Sequence, residues 1–157
     1  MDRKPVIGIT MGDPNGVGPE VVVKALADSG AEYDAVVYGS RDVLYAASEL
    51  TEVFPKYSLV QAFELGMSDV APGKGDRQAG EASLAYIKAA VAAALSGEID
   101  AVVTAPISKE STHLAGSPYP GHTEMLKDLT GAENAVMMFE GGKFRVVLVT
   151  IHTALAN

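Results

Sequence analysis

Four short segments of this 157-residue sequence carry the side chains able to do chemistry. The first is Gly12-Asp13-Pro14-Asn15-Gly16-Val17-Gly18-Pro19-Glu20, between an apolar run and a helix-like run. A glycine-rich turn in that place can offer backbone N–H groups and a helix dipole to an anion. It lacks the Lys-Ser/Thr end of a P-loop, and its G-x-x-x-G-x-G spacing departs from the dinucleotide fingerprint. A tight turn around a buried Asp13 is the competing reading. The second segment is Thr104-Ala105-Pro106-Ile107-Ser108-Lys109-Glu110, entered by the strand-like Ala101-Val102-Val103. It falls at the carboxyl end of a strand, where open α/β sheets form ligand crevices. Lys109 there either meets a phosphate or carboxylate or is simply solvated. The third is Gly121-His122-Thr123-Glu124, at a helix start, where side chains and free N–H groups can converge on an anion or hydroxyl. Alternatively, Thr123 caps the helix and His122 is an ordinary surface histidine. The fourth is Val149-Thr150-Ile151-His152-Thr153, which places an imidazole at a strand tip as a metal ligand or an acid-base group. His113 has no motif around it, and the six Met read as core filler.

The elements that must position these groups alternate. Strands are expected at 5–10, 34–40, 57–62 and 99–107, and helices at 19–28, 41–50, 81–96 and 121–131, with a short helix after Ser108. In the 81–96 segment, Leu84, Ile87, Val91 and Leu95 fall on one helical face. Residues 66–80, rich in Gly and Pro, read as a long loop. The runs 135–140 and 143–152 flank Gly141-Gly142 and read as a hairpin. Strand–helix alternation predicts a three-layer α/β/α fold, and the hairpin predicts a mixed sheet. The stretch Gly-Ser-Pro-Tyr-Pro-Gly at 116–121 is the expected boundary between an N-terminal lobe, 1–118, and the beginning of a second lobe, 119–157.

Composition narrows the function classes. Twelve basic against twenty acidic residues leave a net charge of −8, and the scattered Lys and Arg argue against a nucleic-acid partner. With no Cys, disulfides and thiolate metal sites are excluded, so any metal must take His, Asp, Glu or backbone oxygen. No apolar run has the ~20 residues that span a bilayer, and the N-terminus does not read as a signal peptide. The expected location is the cytoplasm.

Taken in order, IGITMGDPNGVGPE, VVTAPISKE, GHTEML, VMMF and RVVLVTIHTAL resemble the 4-hydroxythreonine-4-phosphate dehydrogenase family, including relatives that act on threonate or erythronate 4-phosphate. The resemblance implies a two-lobed fold similar to isocitrate and isopropylmalate dehydrogenases. It implies a homodimer and NAD- or NADP-linked oxidation of a phosphorylated hydroxy acid, with decarboxylation, in pyridoxal phosphate biosynthesis. A divalent metal (Zn, Mg or Co) is implied on the same ground. His122 and Thr123 are the implied substrate contacts, and His152 an implied metal ligand. Family chains are about twice this length, so the sequence reads as an N-terminal portion, catalytically inactive by itself.

Overall fold

The computed structural model describes residues 3–28, 32–150 and 154–156. It divides into two compact units, Met1–Pro118 and Tyr119–Asn157.

In the first unit, β1 (Val6–Thr10), β2 (Asp34–Tyr38), β3 (Ser58–Val60) and β4 (Ala101–Thr104) form one sheet in the order β3-β2-β1-β4. All pairings are parallel; Ile9 lies opposite Val37 on one side and Val103 on the other. Parallel strands need crossover helices, and right-handed crossovers fix where those helices go. The chain steps outward from β1 to β3 through α1 (Gly18–Asp28) and α2 (Arg41–Thr51), which therefore share one face and pack together. It then reverses past β1 to reach β4 through α3 (Arg77–Ser96). That reversal puts α3 on the other face, against β1, β2 and β4, with α4 (Lys109–Leu114) beside it. Ile9, Val22, Val23, Val37, Leu44, Tyr86 and Ala90 are buried in the core between these layers.

Two expectations for α3 need correcting. It starts at Arg77, four residues earlier than 81, and Gly80 lies inside it. Asp76 supplies the start: its carboxylate accepts the Ala79 N–H at 2.8 Å, as an N-cap does. Gly80 is tolerated because packing overrides propensity there. A Cβ at that position would run into the Ser111 carbonyl, so glycine is what lets α4 lie against α3. The expected apolar stripe is also only partly buried. Ile87 and Val91 are inside, but Leu95 is 63% exposed. The helix instead turns Ala82, Tyr86, Ala90 and Ala93 to the main core. Small residues at i, i+8 and i+11 allow a close approach to the sheet, and Tyr86 at i+4 fills the remaining volume.

The second unit contains α5 (His122–Thr130) and a hairpin of β5 (Met138–Gly141) and β6 (Phe144–Val147). Gly142, at φ 57°, makes the two-residue turn. The hairpin is present as expected, but it forms its own two-stranded sheet. Among the described residues the four-stranded sheet is thus purely parallel rather than mixed, because the antiparallel pair belongs to the second unit. β6 also ends at Val147, short of the expected 152, and residues 151–153 lie outside the described residues.

Candidate functional site

In the first unit, the loops leaving β1 and β4 turn to opposite faces of the sheet, which makes the tips of these two strands the topological switch point. The Thr10 hydroxyl is fully buried there and has no hydrogen-bond partner among the described residues. The two loops are locked together. Ala105 N–H donates to the Thr10 carbonyl at 3.1 Å, and Asp13 N–H donates to the Pro106 carbonyl at 2.9 Å. Gly12 adopts φ 77°, and a Cβ on it would strike the Pro106 carbonyl.

The glycine-rich segment resolves in favour of the buried Asp13. Asp13-Pro14-Asn15-Gly16 closes a β-turn, with Gly16 N–H donating to the Asp13 carbonyl at 3.0 Å. The Asp13 carboxylate accepts the Asn15 N–H at 2.7 Å with one oxygen and the Ser111 hydroxyl at 3.0 Å with the other. The N–H groups of residues 13, 15 and 16 are therefore committed inside the chain and are not free to cradle an anion.

Asn15 carries this lock further. Its amide donates to the Lys74 carbonyl at 3.0 Å and to the Asp76 carboxylate at 2.7 Å, and its side-chain oxygen accepts the Ala71 N–H at 2.8 Å. Asp13, Asn15, Asp76 and Ser111 thus fasten the β1–α1 turn to the loop before α3 and to α4. Sequence reasoning did not single out Asp76 or Ser111. Asp76 had a local signal, a capping residue type before a helical run. Ser111 had none, because its partner is 98 residues away.

In the second tip loop, Ser108 caps α4 by accepting the Ser111 N–H at 3.2 Å. Lys109 is exposed and makes no ion pair among the described residues, so its charge remains available to solvent or to an anion. His113 is exposed on α4.

In the second unit, His122 is the first residue of α5. The N-cap is Gly121, with no side chain to satisfy the helix N–H groups, so Thr123 is not the cap. His122 is half-buried, and its Nε2 is inaccessible to solvent and unpartnered among the described residues. Burial pushes its pKa below the usual imidazole value, so the ring is neutral at neutral pH. Thr123, also half-buried, is the next residue on the helix. The arrangement offers one neutral imidazole, one hydroxyl and the uncapped positive end of a nine-residue helix.

His152 lies outside the described residues. Among the described residues, no three His, Asp or Glu side chains gather as a metal site requires. They do not fit a metal ion, and the glycine-rich turn does not fit a cofactor pyrophosphate.

The parallel sheet with helices on both faces, which matches the solved structures below, defines an α/β protein of the isocitrate dehydrogenase-like class. A sequence profile of the family described as pyridoxal phosphate biosynthetic protein PdxA matches residues 31–157, and the chain belongs to that family. It is 40% identical to a 4-hydroxythreonine-4-phosphate dehydrogenase of Desulfosudis oleivorans, over 100% of this chain and 52% of the relative. It is 41% identical to a D-threonate 4-phosphate dehydrogenase of Cupriavidus necator, over 99% of this chain and 52% of the relative. The crystal structure of a 4-hydroxythreonine-4-phosphate dehydrogenase from Burkholderia phymatum superposes with a TM-score of 0.83 at 40% identity, covering 98% of this chain and 52% of that one. The chain thus spans about half the length of these relatives. Among the described residues, no helix is long and apolar enough to cross a membrane.

Proposed function

We propose that this chain is part of a cytoplasmic, homodimeric dehydrogenase that oxidises a 4-phosphorylated hydroxy acid with NAD or NADP. The substrate is 4-hydroxythreonine 4-phosphate, and oxidation is followed by decarboxylation, in pyridoxal phosphate biosynthesis. The observation that carries this reading is the buried Nε2 of His122, unpartnered among the described residues, at the start of α5, which has no side-chain cap. A buried polar atom without a partner is costly, and a ligand oxygen would relieve that cost. The uncapped N–H groups of the same turn suit the negative charge of the substrate.

The roles in this chain follow from these groups. His122, neutral, hydrogen-bonds a substrate oxygen at Nε2, and Thr123 adds a hydroxyl donor beside it. Together they orient the acid before hydride is lost. Lys109, exposed after β4, supplies positive charge at the strand tips of its own unit. His152 is assigned as one ligand of a divalent cation (Zn, Mg or Co). Among the described residues, no group of three His, Asp or Glu side chains adds to it. A second substrate reading, D-threonate 4-phosphate, is favoured by the 41% identical relative of that name.

Titration calorimetry of the chain with 4-hydroxythreonine 4-phosphate and with D-threonate 4-phosphate tests the contacts. Saturable binding is expected, weakened about ten-fold, or ~1.4 kcal/mol, by His122→Ala. Unchanged binding in that variant would remove His122 from the site. Turnover is tested on this chain fused to the remaining half of the Desulfosudis oleivorans relative. NADH formation is expected from the fusion and not from the 157 residues alone. A folded fusion that reduces neither NAD nor NADP with either acid contradicts the dehydrogenase reading.

A further inference from the structure

At the β3 edge of the sheet, opposite β4, lies a concave surface that the proposed reaction does not use. On α2, Arg41, Tyr45 and Ser48 stand at i, i+4 and i+7, along one helical face. The helix ends at Thr51, and Glu52, at φ 58°, turns the chain back, so that Phe54–Tyr57 run beside that face before entering β3. The result is a groove of 380 Å³ lined by Arg41, Tyr45, Phe54, Lys56 and Tyr57 among others. That volume suits a ligand with a single ring.

Three aromatic side chains line it. The Tyr45 and Phe54 rings lie 6.4 Å apart and tilted by 58°, yet these residues are 58% and 66% exposed. Tyr57 is more enclosed. Burial pushes its hydroxyl pKa up, and the nearby Arg41 guanidinium pulls against that rise. The charges point the same way. The whole chain has twenty acidic residues against twelve basic ones, but this groove is lined by two cations and no carboxylate. Neither Arg41 nor Lys56 makes an ion pair among the described residues. Arg41 also sits in the first turn of α2, where the helix dipole disfavours a cation, and a bound anion would offset that cost.

We propose that this groove is a second ligand site, for a small anion built on one flat ring, such as an aromatic phosphate or carboxylate. The ring packs against Tyr45, Phe54 and Tyr57, while Arg41 and Lys56 supply the counter-charge. The site uses none of His122, Thr123 or Lys109, so its failure and the failure of the dehydrogenase reading are separable.

The test is an amide chemical-shift titration of the 157-residue chain with phenyl phosphate, with inorganic phosphate and phenol titrated in parallel. Saturable shifts confined to residues 41–59 are expected, with phenyl phosphate binding at least about ten-fold more tightly than either fragment. Arg41→Gln and Lys56→Gln, both at exposed positions, should each weaken phenyl phosphate several-fold while leaving the rest of the spectrum in place. Equal binding of inorganic phosphate would reduce the site to bare charge and overturn the proposal. Equal binding of phenol would reduce it to an apolar patch, with the same consequence. Shifts centred elsewhere, or none, would also overturn it.

Discussion

Asp13 commits both carboxylate oxygens inside the chain, to the Asn15 N–H and the Ser111 hydroxyl. Asp13→Ala would leave two buried donors unpaired, and the expected cost is about 2–4 kcal/mol, read from the denaturant midpoint. A loss below about 0.5 kcal/mol would mean that the lock is dispensable. His122 makes a separate prediction from pH. Its folded pKa is depressed by burial, so the unfolded chain takes up the proton first as pH falls. Stability is therefore intact above the unfolded value of ~6.5 and is lost as pH drops from there toward the folded pKa. Denaturation at a series of pH values should show this decline in the wild type and a smaller one in His122→Gln. At this scale the sequence was partly legible. His122 and Thr123 were placed at a helix start because Gly-His-Thr-Glu is a local pattern, and that is where they lie. Ser111 was invisible, because nothing local marks a hydroxyl whose partner is distant in the chain.

The element scale is governed by close approach. Gly80 lets α4 touch α3, so Gly80→Ala should destabilise the fold even though alanine is the better helix former by ~1 kcal/mol. Overpacking against the Ser111 backbone is expected to cost about 3 kcal/mol, which outweighs that gain and is seen as a lower melting temperature. A rise in melting temperature would show that α4 can move away at no cost. The same glycine explains why the start of α3 was misread: a Gly/Pro-rich stretch ordinarily signals a loop, and here tertiary packing decided otherwise. The strands and the other helices were legible because apolar runs, Pro19 and Gly131 punctuate them locally. The turn from Leu95 toward the alanine face was not legible, since close sheet packing selects small residues that hydrophobic periodicity passes over.

The whole molecule is uneven in its packing. The first unit holds the extended core, whereas both hairpin strands of the second are exposed along their length, with Phe144 at 78% and Val147 at 56% exposure. Hydrogen exchange should therefore be far faster in β5 and β6 than in β1 and β2, by factors reflecting several kcal/mol of opening energy. Equal protection in the two sheets would contradict this picture. Family membership was legible from five ordered motifs spread along the chain, although each is weak by itself.

The proposed function requires His122 to meet a phosphorylated hydroxy acid at the start of α5. Its most direct test is the ring ¹⁵N spectrum of His122 as 4-hydroxythreonine 4-phosphate is added near neutral pH. A saturable shift is expected at Nε2, which is unpartnered among the described residues, with the ring still neutral. An Nε2 resonance that stays in place at saturating ligand would contradict it.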